Sequence, residues 1–200
     1  MPLGMKLAYR LENLRILIVD DNAHIRQLLR TVLSAVGVRN IDVAEDGVRG
    51  FESFCRLDYD LVFTDYEMEP ISGIDLVELI RTSTKSPNPY IPVIMISAYS
   101  DQDRVQLARD HGVTEFLAKP FTVERLMSRM QTVIEEPRAF VKTDTYFGPD
   151  RRRQEDPSYM GPERRKTELE EVDVTVRELS EQQRNALRAS REGVDKIASD

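Results

Sequence analysis

Between residues 15 and 134, short apolar runs alternate with amphipathic stretches five times over, and few folds accept that pattern. The first run, RILIV at 15–19, is rich in branched residues and is cut off by Asp20-Asp21-Asn22, as expected of a buried strand ending in acids. In the following NAHIRQLLRTVLSAVG, Ile25, Leu28, Leu29, Val32, Leu33 and Val36 fall at helical spacing. Asn22 is placed to cap that helix and Gly37 to stop it. The same reading gives strands at 41–44, 60–64, 91–96 and 114–118, followed by helices at 46–56, 72–82, 101–110 and 122–134. Repeated strand–helix units predict an α/β fold, a doubly wound five-stranded parallel sheet with helices on both faces and right-handed crossovers.

In an open parallel sheet, ligands bind where the strands end, because the loops there diverge around a crevice. The first strand ends in Asp20-Asp21, the third in Asp65, the fourth in Ser97 and the fifth in Lys119-Pro120. Neighbouring strands lie roughly 4.8 Å apart, so the three carboxylates crowd into one pocket and repel one another unless a cation joins them. Hard oxygen donors with room for water suit Mg²⁺, and an ammonium and a hydroxyl beside them suit a phosphoryl group. Asp65, on the middle strand, is the candidate nucleophile. Asp20 alone would read equally well as a cap or a solvated loop acid. The whole set on this strand order does not.

The pieces RILIVDD, DLVFTDYEM with Gly73, VIMISAYS and EFLAKPF together resemble a response-regulator receiver domain of the CheY-like, flavodoxin-like kind, over residues from about 14 to 136. The resemblance implies that Asp65 is the phosphoacceptor and that Asp21 and Asp65 ligate Mg²⁺ directly. Asp20 then acts mainly through water, and the Glu67 backbone carbonyl completes the protein ligands. Ser97 would hydrogen-bond the arriving phosphoryl group and Lys119 would pair with it, across a cis Lys119-Pro120 bond. Phe116 takes the switch-aromatic position. Its inward swing would remodel the face made by the fourth helix, fifth strand and fifth helix. The chain departs from the family in Met68-Glu69-Pro70, where proline stands one place late, and Glu67 adds an acid expected to affect phosphoryl lifetime.

Residues 1–13 form a short leading segment, and the alternation ends near Glu136-Pro137. Residues 137–166 shift to Pro, Gly, Arg and Asp, which predicts an extended arm without a core of its own. This arm repeats itself at an offset of 13 residues: Tyr146-Phe147-Gly148-Pro149-Asp150-Arg151-Arg152 returns as Tyr159-Met160-Gly161-Pro162-Glu163-Arg164-Arg165. Arginine forks onto guanine O6 and N7 or onto phosphate, a carboxylate accepts from the guanine edge, and aromatics stack on bases. Two copies suit a ligand with two equivalent halves. Residues 140–166 resemble the arginine-rich extension of CheY-like cyclic di-GMP effectors, in which a duplicated Gly-Pro-Asp-Arg-Arg type motif wraps the dinucleotide. That resemblance assigns ligand contacts to Tyr146, Asp150, Arg151, Arg152, Tyr159, Glu163, Arg164 and Arg165. A charged strap laid on the acidic receiver, or an arm that binds DNA or another anion, are the competing readings. The arm's six cations face four acids, a weak excess for nucleic acid. Residues 167–200 return to an amphipathic helical pattern, read as a docking or dimerising element.

Bulk properties set the class. A net charge of −7 argues against a polyanion-binding role for the molecule as a whole. One cysteine, Cys55, excludes an internal disulfide and a cysteine metal cluster, consistent with a reducing compartment. No stretch approaches the roughly 20 apolar residues of a membrane span, and the start lacks a secretory pattern, so a cytoplasmic location is expected. His24 and His111 are not at metal spacing. The expectation is therefore a signalling module and not an enzyme. A sensor histidine kinase or phosphotransfer protein would supply the phosphoryl group, and the output would be contact with a target protein, the flagellar motor among the candidates. A phosphorelay intermediate that passes its phosphoryl group to another protein's histidine is the alternative.

Overall fold

A computed structural model of the chain describes residues 11–98, 102–143 and 146–150. Five parallel strands stand in the order β2-β1-β3-β4-β5: β1 (Arg15–Val19), β2 (Asn40–Ala44), β3 (Leu61–Asp65), β4 (Val93–Ser97) and β5 (Glu115–Ala118). The helices are α1 (Ala23–Ala35), α2 (Gly47–Arg56), α3 (Gly73–Thr82), α4 (Gln102–Asp110) and α5 (Val123–Glu135). The chain leaves β1 toward β2 and then returns to place β3 on the other side of β1. Strand order reverses there, so the carboxyl ends of β1 and β3 open onto a crevice.

The two-residue period of the strands sorts their side chains onto opposite faces. Leu17, Val19, Val62, Val93 and Met95 meet Phe54 of α2, Leu76, Val77 and Ile80 of α3, and Ala108 of α4. Ile16, Ile18, Leu61, Phe63, Ile94 and Ile96 meet Leu29 and Leu33 of α1 and Leu126 and Met130 of α5. Both faces of the central strands are therefore sealed, which is why these runs read as continuously apolar. The helix punctuation falls where the sequence places it. The Asn22 side chain accepts from the His24 and Ile25 amides, and Gly37 takes φ of +105°, a conformation that disfavours any side chain. Ser72 and Asp75 exchange hydrogen bonds in a capping box that starts α3.

The part of the arm described here is not an extended strand. Its strands β6 (Phe140–Thr143) and β7 (Tyr146–Pro149) pair antiparallel and pack on the receiver at the amino-terminal end of the sheet. Phe140 and Phe147 each lie 5.2 Å from the Tyr90 ring, edge-on, and 5.7 Å from each other. Arg81 closes the cluster from below, its guanidinium 5.1 Å from the Phe140 centroid. Burial lowers the Arg81 pKa, and carbonyls compensate: Nε and Nη2 donate to Gly112, and Nη1 to Pro89 and Ile91. A two-stranded hairpin is marginal alone. This one stands because Tyr90, Arg81 and Gly112, distant in sequence, supply its missing core.

Candidate functional site

The site begins with where each carboxylate stands. Asp20 follows the last residue of β1, Asp65 is the last residue of β3, and Lys119 follows β5 directly. Asp20 and Asp65 are buried, at 1% and 9% exposure, while Asp21 faces solvent. One oxygen from each of the three lies within 4.8 Å of the others. Lys119 Nζ bridges two of them, 2.7 Å from Asp65 Oδ1 and 3.1 Å from Asp20 Oδ2.

Local bonds hold this geometry. The Asn22 amide donates to Asp20 Oδ1 at 2.8 Å, and Arg26 of α1 reaches back to the main-chain carbonyls of Asp20 and Asp21. The Thr64 hydroxyl donates to the Asp65 carbonyl, and the Tyr66 amide to that of Ile96. Gly73 packs so closely behind β3 that a Cβ there would stand 1.9 Å from the Asp65 carbonyl oxygen. Neither Arg26 nor Thr64 was singled out from the sequence. Arg26 carries no signal beyond lying one helical turn from the acids, and Thr64 reads as an ordinary strand residue.

Burial raises the Asp65 carboxyl above its usual range, the Lys119 hydrogen bond and charge pull it back, and the neighbouring Asp20 charge raises it again; the net shift is upward. For Lys119, burial disfavours the ammonium, but its bonds to Asp65 and Asp20 and their two charges outweigh burial, so its pKa rises. Two buried acids and a half-buried ammonium thus share one electrostatic site. Three converging carboxylates, one open to water, are the donor set a small hard cation prefers, so the residues present fit Mg²⁺.

Ser97 ends β4 and is 1% exposed, with its carbonyl accepting from the Lys119 amide at 2.6 Å. Phe116, on β5 opposite Met95, is half-buried and packs against the core layer beneath α4. The Lys119-Pro120 bond is cis, as the resemblance implied, and so is Glu69-Pro70, at the shifted proline. The Glu67 carboxylate stands apart from the three acids: Arg104 of α4 holds it at 3.0 Å and also lies over the Tyr66 ring, 5.6 Å from its centroid.

Of the residues assigned to the arm, the structure describes two. Tyr146 donates its hydroxyl to the Pro149 carbonyl at 2.7 Å, and the Asp150 amide donates to Ala139 at 2.7 Å. Gly148 packs on Gly112, and a Cβ there would come 2.8 Å from the Gly112 Cα. The aromatic, glycine and proline of the first copy therefore anchor the hairpin. Arg151, Arg152, Tyr159, Glu163, Arg164 and Arg165 lie outside the described residues. Among the described residues no helix is long and apolar enough to cross a membrane.

Comparison with known proteins bears on the same region. The family described as "Response regulator receiver domain" matches residues 16–131. Chemotaxis protein CheY-3 of Vibrio cholerae is 32% identical over 124 residues, covering 62% of this chain and 94% of that protein. The crystal structure of Vibrio cholerae CheY4 superposes with a TM-score of 0.56 at 26% identity, covering 60% of this chain and 98% of that one. CheY of Borrelia burgdorferi, solved as a CheX-CheY-BeF3-Mg²⁺ complex, gives 0.55 at 27% identity, covering 60% of this chain and 88% of that one.

Proposed function

Because the chain belongs to the response regulator receiver family, we propose that it is a phosphorylation-driven switch in which Asp65 accepts the phosphoryl group. The observation that carries this reading is the Lys119 ammonium within bonding distance of both buried acids, beside a third carboxylate open to water. Asp65, as carboxylate, attacks the phosphorus of the donor; the donor's bond to phosphorus breaks as the Asp65 O–P bond forms. Lys119 already holds the acceptor oxygen and keeps the neighbouring charge balanced as anionic oxygens enter. Ser97 stands at the strand end next to Lys119, where its hydroxyl serves an incoming phosphoryl oxygen. Asp20, Asp21, Asp65 and the Glu67 carbonyl would hold Mg²⁺, which supplies charge neutralisation for the transferring group.

The donor is a histidine kinase or phosphotransfer protein, and the output is a protein contact, with the flagellar motor a candidate target. The Borrelia CheY was solved in a complex with CheX, so a relative makes protein contacts. Acetyl phosphate with Mg²⁺ is the direct test. The wild-type chain is expected to label and Asp65→Asn to stay unlabelled; persistent labelling of the variant would remove Asp65 as acceptor.

The duplicated aromatic, Gly-Pro, acid and arginine pair favours a two-fold guanine ligand, and cyclic di-GMP is the proposed second input. Calorimetric titration of cyclic di-GMP into the full chain at physiological salt is expected to saturate. Absence of binding would leave a receiver with a single input.

A further inference from the structure

A groove of about 540 Å³ runs between α4 and α5 across β5. Apolar Val113, Phe116 and Leu117 line it together with four arginines, Arg109, Arg125, Arg129 and Arg138. Among the described residues one carboxylate lines it, Glu115, and that one is already spent internally: its side chain is 3% exposed and clamped by Arg129 at 3.2 Å and Arg138 at 2.7 Å. An apolar lining with an excess of positive charge selects an occupant with an apolar stripe and acidic flanks.

The same chain contains such a segment. Residues 168–181, ELEEVDVTVRELSE, place Leu169, Val172, Val176 and Leu179 at 3-4-3 spacing, surrounded by Glu168, Glu170, Glu171, Asp173, Glu178 and Glu181 against the single Arg177. The end of the described chain is also favourably placed. The Asp150 amide bonds the Ala139 carbonyl, next in sequence to Arg138, so the chain leaves the hairpin beside the groove wall. The residues between Asp150 and Glu168 can span on the order of 60 Å when extended, far more than the groove requires. The arginine-rich arm itself is excluded as occupant by like charge.

We propose that residues 168–181 dock in the α4–β5–α5 groove of their own chain, apolar stripe down and carboxylates against Arg109 and Arg125. The reading does not depend on what the arginine arm binds.

Paramagnetic broadening tests it on the full chain. A nitroxide is placed on Val174→Cys, off the apolar stripe, in a Cys55→Ser background with uniform ¹⁵N labelling. The amides of Val105, Ala108, Leu117 and Arg129 are expected to lose more than half their intensity, while Leu28 and Val48 keep theirs. Arg109→Glu with Arg125→Glu, neither of which holds Glu115, should restore the groove signals. Adding Glu170→Arg with Glu171→Arg to that variant should broaden them again. Undiminished signals in the first experiment, or broadening that survives the arginine reversal, would overturn the docking. Broadening of a ¹⁵N chain by a separate spin-labelled chain would overturn it as well, by assigning the groove to a second copy.

Discussion

Around Asp65, two residues with no chemistry of their own in common set the packing and the charge. Gly73 is needed because α3 starts in contact with the Asp65 carbonyl, where a Cβ would sit at 1.9 Å. Gly73→Ala must push either α3 or the end of β3, and overpacking of that kind costs about 1–3 kcal/mol. Urea unfolding should show the loss, and acetyl phosphate labelling should fall with it; full labelling at wild-type stability would mean the loop yields easily. Lys119 acts through charge. Without its ammonium, Asp20 and Asp65 face each other buried and unpaired. Lys119→Met is expected to cost about 3 kcal/mol in the absence of divalent cations, the usual scale for breaking a buried pair. Mg²⁺ should recover part of that by binding the folded state alone. Denaturation in EDTA and in Mg²⁺ measures both effects, and equal stability of variant and wild type in EDTA would refute the charge argument.

Helix ends and the hairpin set where those side chains stand. The Ser72–Asp75 box fixes the start of α3, and the bonds from Ser72 hold the Asp75 carboxyl below its usual value of 3.8. An acid with a depressed folded pKa stabilises above its unfolded value and loses that contribution as pH falls through the lower one. Acid unfolding of Asp75→Asn should therefore lack a component that wild type loses below pH 3.8, and Ser72→Ala should cost about 1 kcal/mol at neutral pH. The hairpin obeys different physics. Phe147→Ala removes two edge-on or tilted ring contacts and should cost about 2 kcal/mol by urea unfolding, with loss of hairpin amide protection. The sheet, its five helices and the acid cluster were legible in sequence because period, caps and strand ends are local signals. Asn22 and Gly37 announced the ends of their helix, and Asp20, Asp21, Asp65, Ser97 and Lys119 fell at strand ends that the parallel topology must converge. The hairpin was not legible. Phe140 and Phe147 sit in a polar, Pro- and Gly-containing stretch, and what buries them is Tyr90 and Arg81, at sequence distances no window spans. The Arg129–Glu115–Arg138 clamp escaped for the same reason: its partners come from α5, β5 and the segment beyond α5.

Across the whole molecule, the acid cluster and the hairpin stand at opposite ends of one sheet. Asp65 lies at the carboxyl end of β3, whereas the hairpin that launches the arginine arm is pinned near Tyr90 and Gly112, before β4 and β5 begin. Strands of five residues separate the two ends by roughly 16 Å at ~3.3 Å per residue, and the central strands between them are fully packed on both sides. Coupling between sites requires an element with two arrangements that both ligands bias. The strands and the Arg81 bonds to fixed carbonyls do not offer one at the hairpin end. The expected result is a double separation. Arg151→Ala with Arg164→Ala should weaken cyclic di-GMP binding at least about tenfold, the scale of about 1.4 kcal/mol, while Asp65 labels at the wild-type rate. Asp65→Asn should abolish labelling and leave the cyclic di-GMP affinity within about twofold, because no contact at the hairpin end changes. Calorimetry and acetyl phosphate labelling on the same two preparations decide it. If the arginine variant also lost labelling, or Asp65→Asn changed the dinucleotide affinity, the packed sheet would not be the insulator its geometry indicates, and the α4–β5–α5 face, which meets both Phe116 and Arg138, would be the route to test next.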